Sequence, residues 1–223
     1  MQYNFKHSGI DFIIDINNKH VEGGMKNKGE WFYEQPMLDW IKKEYGEGGV
    51  YLDVGAWIGT HTLYFSKILK AKKVYSFEPV ERHITNFKRN MAFNAVKMPK
   101  EVQLYEFGLS DKEEELFYTY DDAQINPCAI HLAKEGAHRC RTKRMDDLIL
   151  PKMKIIKVDV ENMEKRVLLG GENTIKKYKP HLFLELAKEP YLSDVTKLLD
   201  SWGYERKERF NATPTYRFIP KKH

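Results

Sequence analysis

The stretch Val50-Tyr51-Leu52-Asp53-Val54-Gly55-Ala56-Trp57-Ile58-Gly59-Thr60-His61-Thr62 decides how the rest of this 223-residue chain is read. Its first five residues are a short apolar run of buried-strand character. The glycines that follow mark a tight turn into a helix whose positions Thr62, Phe65 and Leu69 recur at helical spacing. Toward the C-terminus the unit repeats: 73–77 reads as a second strand, Ile84, Phe87, Met91 and Ala95 as a second helix face, and 102–107 as a third strand. Residues of about 113–144 break the rhythm with short strands and loops. Alternation resumes with a strand at 155–160, a helix over 163–178 and a strand at 181–186. A last helix follows, with Tyr191, Val195, Leu198 and Trp202 on one face and Gly203 at its end, and then two strands flank Asn211-Ala212-Thr213-Pro214. Upstream, a helix from Glu30 carries Pro36 in its first turns and Leu38, Ile41 and Tyr45 on one face, ending at Gly46-Glu47-Gly48-Gly49. A hairpin around His7-Ser8-Gly9 and a loop over 22–29 precede it.

Strands alternating with helices at this spacing predict an α/β fold, a Rossmann-like, doubly wound, mostly parallel sheet with right-handed crossovers. A terminal antiparallel hairpin and a β-rich insertion (about 113–144) complete it. The expectation is one domain over 1–223, with the N-terminal hairpin and helix (about 1–48) as an appendage. No apolar run approaches the roughly 18–20 residues that span a bilayer, so membrane insertion is not expected. The first residues lack the character of a secretory signal and two cysteines make no disulfide framework, from which a cytoplasmic setting is expected. A net charge of +5 permits an anionic partner without requiring one.

In an open α/β sheet, ligands bind beyond the carboxyl ends of the strands near the point where strand order reverses. The anchor is therefore Asp53, Gly55, Ala56, Trp57, Gly59 and Thr62. Gly55 and Gly59 are expected to let backbone approach a ligand without Cβ interference, while helix N-terminal amides receive a carboxylate and Asp53 faces an ammonium. About 25 residues on, Glu78 closes the second strand, where an acid can accept hydrogen bonds from both hydroxyls of a ribose. Carboxylate, ammonium and ribose together describe S-adenosylmethionine (SAM). Gly108 and Leu109, at the third strand end, are expected beside its adenine, Gly108 giving the base room. A G-x-G-x-x-G fingerprint is absent, because three residues separate Gly55 from Gly59, and this disfavours NAD.

Further stretches extend the pattern: Phe77-Glu78-Pro79, the run 86–94, Met145-Asp146-Asp147-Leu148, Ile156-Lys157-Val158-Asp159-Val160-Glu161-Asn162-Met163-Glu164, Val167-Leu168-Leu169-Gly170 and Lys179-Pro180-His181-Leu182-Phe183-Leu184-Glu185. Over about residues 34–185 the chain resembles the FkbM-type class I SAM-dependent methyltransferases. The resemblance implies O-methylation of hydroxyls, commonly on sugars or polyketide-type natural products. Two positions depart from that family. Trp57 stands where it usually has Asn, and either stacks on a ligand or packs the N-terminal helix. Asn162 replaces a usual Gly, a mild change because Asn tolerates left-handed backbone.

Methyl transfer needs an oxygen nucleophile in line with the sulfonium methyl, and an aliphatic hydroxyl is a very weak acid. Either a carboxylate takes the proton as the C–O bond forms, or a metal acidifies the hydroxyl first. Asp159, at the end of the fourth strand, is the first candidate for either role; Lys157, two residues earlier on the same face, holds it or touches the acceptor. Glu185, ending the fifth strand, can converge with Asp159 on a hydroxyl or a hard cation, and a divalent metal stays undecided. The alternative for Lys157 and Asp159 is a structural ion pair. Glu161 and Glu164 read as first-turn acids complementing a helix dipole.

Weaker signals are Asn126-Pro127-Cys128, which lies before the fourth strand instead of after it, and Cys128, His131, His138 and Cys140, whose spacing matches no ordinary zinc pattern. His61 either touches substrate or caps its helix, and His181 reads as structural. Arg139, Arg141 and Lys143 share one strand face, read as a solvated edge strand or as a phosphate-attracting patch. The leading expectation is a SAM-dependent O-methyltransferase acting on a sugar or glycan hydroxyl. RNA 2′-O-methylation and a non-catalytic SAM-binding module are its rivals, and a homo-oligomer is left open.

Overall fold

In a computed structural model of the chain, residues 2–16, 32–120 and 130–222 are described. The loop at 22–29, the expected helix start at Glu30 and the Asn126-Pro127-Cys128 run lie outside them. Twelve strands and six helices are described. The strands of the main sheet are β3 (Val50–Val54), β4 (Lys73–Phe77), β5 (Val102–Tyr105), β9 (Ile155–Val158), β10 (His181–Glu185), β11 (Tyr204–Phe210) and β12 (Thr215–Pro220). They lie in the order β11-β12-β10-β9-β3-β4-β5, parallel from β10 through β5 and antiparallel where β12 joins β10 and β11. The doubly wound α/β architecture read from the sequence is therefore the one observed, and strand order reverses between β3 and β9.

Both faces of this sheet are covered, as near-continuous apolar strands require. Tyr51 and Phe183 face one core with the helices α1 (Gln35–Tyr45), α2 (Thr60–Leu63) and α3 (Glu81–Phe93), whereas Leu52, Val54, Ile156, Val158 and Leu184 face the other. The latter core is closed by α4 (Glu164–Gly170), α5 (Glu172–Tyr178) and α6 (Tyr191–Ser201). Each fully buried aliphatic side chain contributes about 1.5–3 kcal/mol.

Four local differences from the expected elements have physical causes. The helix expected over 163–178 is two, divided at Gly171, whose non-helical backbone (φ −117°, ψ 14°) ends one and begins the next. The helix after β3 is α-helical only to Leu63 and continues as a π-helix over Tyr64–Ile68. The basic strand β8 (His138–Lys143) is an edge only over its first residues, since β6 (Gly108–Leu109) pairs with Thr142 and Lys143. It is the central strand of a three-stranded sheet, between β6 and β7 (Glu114–Tyr118), and its outward Arg139 and Lys143 face Glu115 and Glu113.

Finally, the hairpin of β1 (Gln2–His7) and β2 (Ile10–Asp15), expected as an appendage, belongs to the main core. Phe5, Phe12 and Phe32 pack edge-on and stacked against one another and against Tyr64. Asn90 and Asn94 on α3 fasten it: Asp15 N–H donates to Asn90 Oδ1 at 2.7 Å, and Asn94 Nδ2 donates to the Ile13 carbonyl at 2.7 Å.

Candidate active site

At the carboxyl edge of the sheet, over the point where strand order reverses, a cleft opens to solvent. Register explains what meets there. Val54 pairs with Val158, and Val158 with Leu184, so Gly55, Asp159 and Glu185 leave three neighbouring strands at one level. All three line the cleft, as do Trp57, Glu78, Gly108 and Leu109. Asp53, Ala56, Gly59, Thr62 and Lys157, also singled out from sequence, do not line it, and all five are buried.

The turn after β3 works differently from its sequence reading. A Cβ on Gly55 would stand 1.8 Å from the Asp159 carbonyl oxygen, and one on Gly59 would stand 2.7 Å from Met91 Cε and 2.8 Å from the Phe87 ring. These glycines, at φ of 78° and 85°, make room for the neighbouring strand and helix, and Gly55 also lines the cleft. The amides are committed as well. Gly55 and Ala56 N–H both donate to the Phe77 carbonyl at 3.0 Å, Gly59 N–H donates to Ala56, and Trp57 N–H donates to Glu78 Oε2 at 2.8 Å. A ligand carboxylate is therefore not received by these four groups.

Glu78 is buried, and its other oxygen accepts Val80 N–H at 3.0 Å and faces His83 Nδ1 at 3.3 Å. Three protein donors thus orient a carboxylate that still borders the cleft. Asp53 is fully buried: Thr62 Oγ1 donates to its Oδ2 at 2.6 Å and touches Ser76 Oγ at 2.8 Å, while Oδ1 has no hydrogen-bond partner among the described residues. Thr62 therefore acts on the site through Asp53. Burial raises the Asp53 carboxyl above its ordinary value, against the opposing pull of Lys157 and the Thr62 hydrogen bond.

Lys157 is the charge around which the acids gather. Its Nζ donates to Asp159 Oδ2 at 3.1 Å from a nearly fully buried position, paired in register with Asp53. Burial alone would lower its pKa, but the charges of Asp159, Asp53 and Glu34 raise it, so the ammonium stays protonated. Glu185 is pushed up to about 9, first by burial and then by Asp159, Glu34 and Glu161, with Lys157 opposing. Five carboxylates facing one lysine leave the site in excess negative charge whenever more than one of them is ionised. His61 is buried and its pKa lies well below the usual value, chiefly from burial; its Nε2 is 3.2 Å from the Tyr33 carbonyl and 3.4 Å from Glu34.

The two first-turn acids separate. Glu164 Oε1 accepts Val160 N–H at 3.1 Å and is buried under Tyr191, fastening the loop before α4, whereas Glu161 lines the cleft with its backbone at φ 53° and Asn162 following at 72°. Met145-Asp146-Asp147-Leu148 is structural too: Asp146 accepts the N–H groups of Asn173 and Thr174 at the start of α5. Among the described residues no three His, Cys, Asp or Glu side chains gather to hold a metal ion. Cys140 is buried, and His138 stacks on Tyr118. His181 bonds Tyr45 at the opposite end of β10.

Residues the sequence reading passed over are Tyr33, Val80, His83, Ile130, Leu132, Met163 and Thr213, all of which line the cleft. His83 was within reach of inference, one helical turn into α3 after an acid. Tyr33, Ile130, Leu132 and Thr213 come from segments that only the tertiary fold brings to the sheet edge.

Comparison with known proteins agrees with this picture. Residues 53–206 match the methyltransferase FkbM domain family. Hexuronic acid methyltransferase AglP of Haloferax volcanii is 31% identical over 171 residues, covering 74% of this chain and 67% of that protein. AMB antimetabolite synthetase AmbE of Pseudomonas aeruginosa is 27% identical over 204 residues, covering 70% of this chain, which spans only 9% of AmbE. Among solved structures, methyltransferase FkbM from Methylobacillus flagellatus superposes with a TM-score of 0.59 at 17% identity, over 77% of this chain and 43% of that one. Precorrin-6y C5,15-methyltransferase from Geobacter metallireducens does so at 0.54 and 12%, over 85% and 88%. These likenesses show the class I methyltransferase fold.

Proposed function

The chain belongs to the FkbM methyltransferase family, and from that premise we propose that it transfers a methyl group from SAM to a hydroxyl of a sugar. The observation that carries the proposal is the convergence of Asp159 and Glu185, braced by Lys157, at the edge of a cleft whose other end is bordered by Glu78, Gly108 and Leu109. The residues fit the cofactor. A site with surplus negative charge attracts a sulfonium nucleoside. Glu78, already oriented at the cleft, suits a ribose, and Gly108 and Leu109 border the cleft where a base would lie.

SAM, when bound, supplies an electrophilic methyl group on positively charged sulfur. Asp159 takes the acceptor's proton as the C–O bond forms and the C–S bond breaks, so the oxygen never becomes a free alkoxide. Lys157 fixes the Asp159 carboxylate by a charge-assisted hydrogen bond. Glu185, protonated at neutral pH, donates a hydrogen bond to the acceptor and orients its attacking oxygen. A sugar is favoured as acceptor by AglP, named for hexuronic acid methylation. A phosphate-bearing acceptor such as RNA is less suited, since the cleft's charged lining among the described residues is carboxylate and the basic face of β8 is met by Glu113 and Glu115.

The test is transfer of labelled methyl from SAM to glycans, simple glycosides and capped RNA, with and without chelator, alongside calorimetry of SAM binding. Asp159→Asn is expected to lower kcat by about 10²–10⁴-fold while SAM affinity changes little. Unchanged turnover would remove Asp159 from the mechanism, loss of turnover on chelation would select a metal route, and no SAM binding by folded protein would end the proposal.

A further inference from the structure

We propose that Tyr33 and Trp57 form an aromatic wall on which the acceptor's pyranose ring stacks, making them the specificity-determining residues of the acceptor half of the cleft. This deepens the sugar O-methyltransferase reading and rests on it. Both residues line the cleft, their rings 6.1 Å apart between centroids and inclined at 66°. Each is held from behind. Tyr33 lies nearly parallel to the buried His61 ring at 6.1 Å, and His61 in turn faces the Tyr33 carbonyl and Glu34. Trp57 is fixed through its backbone, whose N–H donates to Glu78 Oε2 and whose φ of 48° is one that bulky residues rarely adopt. A strained tryptophan persists where its surroundings over-determine it, and such positions cluster at ligand contacts.

The wall stands on the acceptor side. Glu185 ends β10 and Thr213 lies in the β11–β12 turn, on the half of the sheet edge running from β3 toward β12, and Trp57, in the turn after β3, stands at the boundary where its N–H meets Glu78. Gly108, Leu109 and Leu132 belong to the other half, beyond β4 and β5, where the nucleoside is placed. On the acceptor side, then, the cleft offers two aromatic rings together with the carboxyl groups of Asp159, Glu161 and Glu185. A pyranose matches both features, its C–H face carrying the slight positive charge that an aromatic face attracts and its hydroxyls donating to carboxylates. A lipid would leave the carboxylates unmatched, and a nucleotide would bring phosphate against them.

The test uses the whole protein with SAM and the methyl pyranosides of glucose, mannose, galactose and rhamnose, with adenosine as a nucleoside acceptor. Trp57→Asn suits the left-handed backbone and should fold; Trp57→Phe keeps an aromatic face. Trp57→Asn is expected to raise the acceptor KM by about tenfold, more than it lowers kcat, while the SAM Kd from calorimetry moves less than about threefold. Trp57→Phe should restore most of the lost affinity. In wild type, titrating the pyranoside into the S-adenosylhomocysteine complex should change tryptophan emission, and Trp57→Phe should abolish the change. An unchanged acceptor KM in Trp57→Asn, or a rise matched by lost SAM affinity, overturns the wall and leaves sugar methylation standing. A wild-type protein that binds SAM but methylates no pyranoside, or prefers adenosine to all of them, overturns both.

Discussion

Glu185→Gln should stabilise the protein at neutral pH, although the replaced residue lies in the proposed active site. The Glu185 carboxyl is pushed from an ordinary 4.5 to about 9, first by burial at the end of β10 and then by the charges of Asp159, Glu34 and Glu161. The folded pKa thus exceeds the unfolded one. The stability that goes with the protonated form is complete below about pH 4.5 and is lost as pH rises toward 9, because the unfolded chain releases a proton that the folded chain must keep. Neutral pH lies about two and a half units above the ordinary value, and at about 1.4 kcal/mol per unit the upper limit of the loss at pH 7 is about 3.5 kcal/mol. The cleft is open to water and the proton is shared electrostatically with Asp159, so about 1–3 kcal/mol is the expected gain. Glutamine keeps the shape and a hydrogen-bond donor without titrating.

Urea unfolding at pH 5, 7 and 8.5 measures the effect directly. The difference between Glu185→Gln and wild type should be small at pH 5, clear at pH 7 and larger at pH 8.5. Stability profiles that run parallel across this range would refute the buried, protonated Glu185. The same reasoning extends to the ligand: a sulfonium cation beside Glu185 favours its ionised form. SAM binding to wild type near pH 8 should therefore release part of a proton, seen as a buffer-dependent binding enthalpy that disappears in Glu185→Gln.

Two further substitutions test the scaffold. Gly55→Ala places a Cβ 1.8 Å from the Asp159 carbonyl oxygen at a φ of 78°, and should cost about 3 kcal/mol or more in urea unfolding; a loss under about 1 kcal/mol would mean that β3 and β9 can part there. Asn90→Leu strands the Asp15 N–H and the carbonyls of Asp15 and Ile58, all bonded by the buried Asn90 side chain, and should cost about 3 kcal/mol; a near-neutral result would return the N-terminal hairpin to the status of an appendage.

The sequence was legible where local pattern and global fold agree. The expected strands at 50–54 and 73–77 coincide with β3 and β4, and the terminal hairpin turns at Asn211 to Pro214 as read, because apolar runs bounded by turn residues leave the chain few alternatives. It was less legible where a residue's purpose is set by something distant in the chain. Gly55 carries a motif's signature, yet what it avoids is the carbonyl of Asp159, about a hundred residues later. Gly170, likewise, leaves room for the Ser110 carbonyl, sixty residues earlier. The basic face of β8 resembled a solvated edge until its pairing with β6 and β7 placed its end at the centre of a sheet. Tyr33 has no local signal at all; its place in the cleft follows from the packing of α1 and the hairpin against α2.

These distant contacts explain how a turn of five residues positions a reaction. The end of β4 holds the turn through the Phe77 carbonyl and the Glu78 carboxylate, α3 holds it through Asn90 on the Ile58 carbonyl, and β9 abuts it where Gly55 admits Asp159. Asp159 N–H in turn donates to the Val54 carbonyl at 3.0 Å. The cofactor turn and the proposed proton acceptor are therefore parts of one backbone junction, without a flexible side chain between them. A backbone change at that junction, such as Gly55→Ala, should disturb cofactor affinity and turnover together, whereas side-chain changes at Trp57 or Tyr33, which leave its backbone bonds in place, should separate acceptor affinity from both. That contrast, measured on the same preparations of Gly55→Ala and Trp57→Asn, distinguishes a rigid junction with a separable acceptor wall from a cleft that deforms as a whole.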